Sequence, residues 1–284
     1  MRQPLLPLMI AALLATACSP QDSAAVAQAP AAQAPGASGS AATPAPEAKP
    51  AIEAAFREGM PFAELRKQLL AAGWLPLRDP MCRENVGGTA EVCFALPEVE
   101  SCSGDGYCKM HYANAAENRR ISVTTYGPYG KWNVPGEESA LAVRSWKASA
   151  LPAPEAAAPA CPSPDFDAFL KAFASDEKIE RAFTAPLVKV ADLGGGVDGT
   201  DSVLLYAAGS DYAGFNVAWR DGAFHFAGPD GQVDPAPLQL QVEPQGDAAR
   251  IVRYGYGMSE GNSYRFEQRN GCWALTEDPE PPSP

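Results

Sequence analysis

Two histidines are present, His111 and His225. Each lies in an alternating stretch, His111 between Met110 and Tyr112 and His225 between Phe224 and Phe226. Imidazole titrates near neutrality, so either could serve as a general base. Neither has an evident partner nearby, and a lone strand histidine reads more readily as structural. Gly257-Met-Ser259-Glu-Gly261 spells the G-x-S-x-G pattern of a serine nucleophile. That chemistry needs a strand–turn–helix elbow, with an acid and then a histidine later in the chain. No histidine follows Ser259, and strand-like residues come next, so the motif reads as a hairpin turn between Tyr256 and Tyr264. The loop from Asp192 to Asp201 offers carboxylates around three glycines but not the ligand order of a calcium loop, and it lacks the Gly-Lys-Ser/Thr ending of a phosphate loop. It reads as a strand connection. Tyr126, Tyr129 and Trp132 sit among turn formers in Tyr126-Gly-Pro-Tyr129-Gly-Lys-Trp132. Exposed aromatics of this kind stack on sugars or anchor a partner, which makes the three candidate ligand or partner contacts. The competing reading folds them over a small core. No catalytic set, cofactor or metal is expected.

The remaining chemistry belongs to sulfur. Of seven cysteines, Cys18 stands apart near the N-terminus. The other six are Cys82, Cys93, Cys102, Cys108, Cys161 and Cys272, an even number that can pair completely. Cys161 and Cys272 must pair if the two halves of the chain do not cross-link. The first four allow three connectivities. Proximity favours Cys102–Cys108, with Cys82–Cys93 as the second bridge. Zinc and redox readings are weak because no CxxC pair occurs.

The cysteines point to an oxidising compartment, and the N-terminus agrees. Met1-Arg2 precedes an apolar run of about ten residues, half of what a membrane-spanning helix needs, so residues 1–17 read as a secretory signal. Ala15-x-Ala17 is an ordinary cleavage site, and Leu14-Ala15-Thr16-Ala17-Cys18 resembles a lipobox with Ala15 in the usual Leu position. Both readings cut before Cys18. Cysteine parity favours lipidation, since an unmodified Cys18 would be an odd free thiol. Resemblance to lipoproteins of Gram-negative bacteria, with Ser19 carrying no retention signal, implies the outer membrane, periplasm-facing. Several acyl chains anchor firmly where one binds marginally.

These features must be positioned by something folded. Residues 18–50 are Ala, Pro, Gln, Ser and Gly with few charges, a composition too polar to offset its ordering entropy. They read as a disordered tether with a reach of roughly 30 Å. A second Ala/Pro stretch, 150–160, reads as a linker, dividing the chain into 51–149 and 161–284. In the first unit Phe62, Leu65 and Leu69 share one helix face after Pro61, and Gly73 is the natural stop. Extended candidates follow at 74–78, 92–95, 107–113 and 120–126, while 140–146 could be a strand or a short helix. In the second unit Ser163 and Pro164 could open a helix, with Asp165 and Asp167 suiting its positive end. Phe166, Phe169, Leu170 and Phe173 then form an apolar stripe. A short helix over 176–183 and a long antiparallel meander follow, punctuated by the hairpin signals Asp221-Gly222 and Asn270-Gly271. The expected class is α+β: two small domains, each with N-terminal helices packed on an antiparallel sheet. The second reads as a cone, with helices inside a curved sheet.

A resemblance supports the cone. Phe166-Asp-Ala-Phe-Leu-Lys-Ala-Phe173, Phe183-Thr-Ala-Pro-Leu187 and Tyr264-x-Phe266-x-x-x-Asn270-Gly271-x-Trp273-x-Leu275 resemble bacterial domains of the nuclear-transport-factor-like cone class, over about residues 163–278. The resemblance implies front helices cradled by a bent antiparallel sheet. Leu65-Arg-Lys-Gln-Leu-Leu-Ala-Ala-Gly-Trp74-Leu-Pro76 and Pro97-Glu-Val-Glu-Ser-Cys102-Ser-Gly are similar to recurrent domains of proteobacterial envelope proteins. Neither resemblance carries over a catalytic residue.

Charge narrows the partners. The net charge is -12. Residues 51–149 hold 11 basic and 12 acidic side chains, whereas 161–284 hold 9 and 19. An acidic surface repels nucleic acid, so none is expected as a partner. The expected partners are the membrane, through the lipid, and an envelope protein or glycan. The sequence therefore favours a binding or scaffolding lipoprotein of the envelope. The alternatives are a cone-fold enzyme with an acid–base pocket and an acidic inhibitor of a basic enzyme such as lysozyme.

Overall fold

A computed structural model describes residues 51–87, 90–133, 141–152, 159–193, 202–256 and 260–278. After a 3-10 turn at Ile52–Ala55, helix α1 spans Phe62–Ala71 and buries Phe62, Leu65 and Leu69. Pro61 sits at its N-cap rather than inside its first turn. Gly73 ends the helix with φ 83°, a left-handed value that glycine adopts without the Cβ clash. Strand β1, Leu75–Pro76, follows Trp74, which is fully buried. Helices α2, Cys82–Asn85, and α3, Val92–Ala95, are single turns. The second corrects the strand expected at 92–95. Local hydrogen bonds from Ala95 N to Glu91 O and from Leu96 N to Val92 O close a turn there, and Cys93 is tied back to Cys82.

The first sheet contains β2, Val99–Cys102; β3, Tyr107–Asn114; β4, Arg119–Tyr126; and β5, Ala142–Ala150. Its order is β1-β3-β4-β5, with β2 also on β3 and every pair antiparallel. The alternative at 140–146 is resolved as strand from Ala142 onward. Alternation along β3 and β4 turns Met110, Tyr112, Ile121 and Val123 inward, where they form one buried cluster with the stripe of α1.

Helix α4, Phe166–Phe173, buries all four residues of its apolar stripe. Its N-cap is Asp165, whose carboxylate accepts from Ala168 N. Ser163 acts one step earlier, accepting from Asp165 N. Helix α5, Glu177–Ala182, is capped by Asp176. The strands that follow are β6, Thr184–Leu193; β7, Ser202–Ala208; β8, Val217–Arg220; β9, Ala223–Ala227; β10, Val233–Leu238; β11, Gln241–Pro244; β12, Ala249–Tyr256; β13, Glu260–Arg269; and β14, Cys272–Asp278. Asp221-Gly222 and Asn270-Gly271 turn the β8–β9 and β13–β14 hairpins. All four residues have positive φ, the conformation such two-residue turns require. A second buried cluster joins the α4 stripe to Tyr264, Phe266, Trp273 and Leu275.

The strands do not form one meander. A six-stranded sheet runs β11-β12-β13-β14-β6-β7, and β8, β9 and β10 form a separate three-stranded sheet. The pairing of β14 with β6 is parallel. A parallel pair needs a long connection, and here the excursion from β7 to β13 supplies it. The expected strand at 238–242 instead spans a break between β10 and β11.

The described chain is thus mixed α+β, mostly strands in antiparallel pairing with few helices. The described residues belong to one compact unit. Within it β1 meets β7: Leu77 forms a parallel bridge with Tyr206, and Arg78 N donates to Tyr206 O at 2.9 Å. The cysteine pairs are Cys82–Cys93, Cys102–Cys108 and Cys161–Cys272, with Cα separations of 6.1, 4.1 and 5.6 Å. These are consistent with the pairing read from the sequence. Among the described residues no helix is long and apolar enough to cross a membrane.

Candidate functional site

A cavity of about 520 Å³ opens beside β6, β7 and the β7–β8 connection, a size that suits a small-molecule ligand. Val190, Ala207, Ala208 and Phe226 give it an apolar side, and phenol, amide and carboxylate groups stand among them. Strand alternation on β12 sends Tyr254 and Tyr256 to one side, and both line the cavity. The connection before β8 supplies Tyr212 and Asn216, β13 supplies Asn262, and the last residue of β14 supplies Asp278. Arg78, beyond β1, reaches the rim and forms an ion pair with Asp192 of β6.

These groups hold one another in place. Tyr264, fully buried behind the wall, accepts from Asn216 N and from Asn262 Nδ2, each at 3.1 Å, and lies 2.9 Å from Gly214 O. The hydroxyls of Tyr254 and Tyr264 both point at Asn216 Oδ1. Tyr212 donates to Asp278 Oδ2 at 2.9 Å, and Tyr256 donates to Asp234 Oδ2 at 2.8 Å while stacking on Phe226 at 4.2 Å. Burial pushes the Tyr212 and Tyr264 phenols well above the ordinary tyrosine range. The Asp278 charge adds to the shift at Tyr212, and Tyr254 adds to that at Tyr264. Both therefore stay protonated at neutral pH and act as donors, not bases. Gly214 lets the pieces meet, because a Cβ there would lie 2.7 Å from Asp278 Oδ2 and 2.9 Å from the Tyr212 ring. Tyr264→Phe should cost about 1–3 kcal/mol, because it strips the shared acceptor from two N–H groups beside the cavity. Urea unfolding of the variant checks the value.

The residues singled out in the sequence fall elsewhere. Tyr129 and Trp132 are half-buried against the first cluster, with Trp132 edge-on to Phe62 at 6.3 Å and under Arg66 at 5.2 Å. Tyr126 is more exposed. It packs on Tyr107 at 4.7 Å, with Arg144 over its ring at 5.1 Å. With Tyr129 and the Ser103–Gly106 turn it lines a second hollow of about 460 Å³. Neither histidine lines the main cavity. His225 Nδ1 donates to Asp234 O at 3.0 Å. Ser259, Asp198 and Asp201 lie outside the described residues, as does Cys18. Among the described residues no group of His, Cys, Asp and Glu could hold a metal ion.

His111 does have partners, which sequence reasoning missed. On the sheet face away from the core its Nδ1 lies 2.9 Å from Ser122 Oγ, its cross-strand neighbour, and its Nε2 meets Glu100. Lys109 closes the group by donating to Glu100 Oε1 at 3.0 Å. Burial lowers the His111 pKa below the usual histidine value, with the Glu100 contact opposing. The unfolded chain therefore takes up the proton first, so stability should fall as pH drops from about 6.5 toward the folded value. Glu100 is also lowered: burial alone would raise it, but hydrogen bonds from Lys109 and His111 outweigh that. A second loss should follow below the ordinary Glu range, as the folded protein is forced to protonate it. Unfolding midpoints between pH 8 and pH 3 test both windows, and His111→Gln should remove the upper one and narrow the lower, where Lys109 still holds Glu100 down.

No family model matches this chain, and no curated protein matches it. Among solved structures, an NTF2-like protein from Bacteroides fragilis is similar at 10% identity and a TM-score of 0.30, covering 74% of this chain and 75% of that one. So distant a likeness carries no weight for the site, whose character rests on its own side chains.

Proposed function

We propose that this chain is an exported lipoprotein, anchored through Cys18 and facing the periplasm, whose folded part captures a small polar ligand without turning it over. The observation that carries the reading is the preorganised cavity. Tyr254 and Tyr264 fix Asn216, and Asn262 in turn holds Tyr264, before any ligand arrives, so binding forgoes part of the usual ordering cost. Binding is favoured over catalysis because both histidines lie away from the cavity wall and its buried phenols are held protonated. The three disulfides suit an oxidising compartment. We also read 51–149 and 161–284 as two modules, a division supported by their separate buried clusters.

Two measurements test this. Cys18→Ser should move the protein from the membrane to the soluble fraction, and unchanged membrane association would overturn the anchor. For the cavity, NMR spectra of the mature chain titrated with envelope glycan fragments should shift at Tyr254 and Asn262. Ala213→Trp, placed on the cavity rim, should abolish those shifts while leaving the unfolding midpoint near that of the parent. Fragments that perturb no cavity residue would overturn the ligand reading.

A further inference from the structure

The first sheet buries one face and leaves the other open, and the open face is basic in an acidic chain. Met110, Tyr112, Ile121 and Val123 point into the first cluster, so alternation turns Lys109, His111, Arg120 and Ser122 outward. Register sets Lys147 of β5 opposite Ser122. Arg144 sits at a bulge opposite Thr124 and Thr125, with its guanidinium 5.1 Å over the Tyr126 ring. Lys109, Arg144 and Lys147 are exposed, and Arg120 is half-buried. The carboxylate on this face is Glu100, shared by Lys109 and His111. Arg120, Arg144 and Lys147 have no carboxylate partner among the described residues. The balance is four cations to one carboxylate, in a chain of net charge -12. Tyr107 and Tyr126 stand together at one end of the face, 45% and 39% exposed.

The N-terminal side of the described chain joins this same sheet. Glu53 pairs with Arg119 at the start of β4, and Phe56 lies edge-on to Trp146 of β5 at 5.7 Å. Thirty-two residues separate Ala51 from Cys18. A lipid on Cys18 would keep β4 and β5 beside a bilayer at an effective concentration of about millimolar. Charge complementarity then favours an anionic leaflet, where each Lys or Arg strengthens binding about fivefold. Most of the acidic side chains belong to 161–284, and charges farther off than about 8 Å are screened at cellular salt. Tyrosine suits the headgroup level, because its ring is apolar and its hydroxyl stays wet.

We infer that the open face of this sheet lies against anionic phospholipid headgroups, with Arg120, Arg144 and Lys147 toward phosphate and the Tyr107–Tyr126 pair at the headgroup level. The inference rests on the membrane-anchored reading for its location: the lipid holds the protein, and the face orients it.

The test supplies its own anchor. The mature chain made without lipid is coupled through the Cys18 thiol to a maleimide lipid, the other six cysteines being paired. Vesicles of phosphatidylcholine alone are compared with vesicles rich in phosphatidylglycerol. Acetylation of Lys147, read by mass spectrometry, should slow several-fold on the anionic vesicles, and high salt should restore it. Lys178, exposed on α5, should react alike on both. Arg120→Gln with Arg144→Gln should return Lys147 toward its phosphatidylcholine rate, and the unfolding midpoint reports whether that variant keeps its fold. Equal Lys147 rates on the two kinds of vesicle, or equal slowing at Lys178, would overturn the inference. Protection of Lys147 by added heparin but not by phosphatidylglycerol would overturn it in favour of an anionic glycan. Fractionation of Cys18→Ser cells in high salt, which releases the face, reads the anchor separately.

Discussion

Arg66→Ala should destabilise the protein by about 3–5 kcal/mol, the usual result of leaving a buried charge unpaired. Glu98 is 0% exposed. Its Oε1 accepts from Arg66 Nε at 2.6 Å and from Tyr112 OH at 2.5 Å, while Oε2 has no partner among the described residues. Burial would lower the Arg66 pKa, but the Glu98 charge and Tyr112 outweigh it and raise the value, so the guanidinium stays charged. Removing it strands a carboxylate inside the first cluster. Guanidinium unfolding should show the loss as a lower midpoint at unchanged slope. The combined change Arg66→Met, Glu98→Leu and Tyr112→Phe should recover most of it, because it strands no buried hydroxyl and replacing a buried ion pair with apolar groups is often neutral. A single variant as stable as the parent would show that water reaches Glu98.

Opening the Cys161–Cys272 bridge should have an effect of similar size. It closes 111 residues, and in the chain-entropy model a loop near 100 residues is worth about 4.7 kcal/mol. The other bridges close only 11 and 6 residues, so the model assigns them less. Cys161→Ala with Cys272→Ala should therefore lower the unfolding midpoint further than Cys102→Ala with Cys108→Ala. Thermal unfolding of both pairs at pH 7 without reductant compares them. An equal drop would mean that the unfolded chain keeps residual structure near this bridge.

Local features were readable in the sequence because their causes are local. The stripe Phe166, Phe169, Leu170 and Phe173 follows helical periodicity, and its burial needs only a sheet to lie on. Asp221-Gly222 and Asn270-Gly271 carry the conformational freedom their turns demand. The hidden features depend on contacts between distant residues. Arg66 and Glu98 are 32 positions apart, and nothing in either neighbourhood announces the pair. Asn216 gains its meaning only when β12 and β13 bring Tyr254 and Tyr264 to it. The alternation of Val252, Tyr254 and Tyr256 was a usable sign that phenols share a face. Val92–Ala95 misled because its apolar, β-branched start suits a strand, whereas the bridge to Cys82 and short-range hydrogen bonds fold it as a turn.

The bridge between Leu77 and Tyr206 has a consequence for how this polypeptide could be cut. Strand rims that stay uncapped recruit foreign chains, and here each half shields the other's rim where β1 meets β7. Halves expressed separately, split at 150–160, would both be left with sticky flanks and should clump where the intact polypeptide stays dispersed.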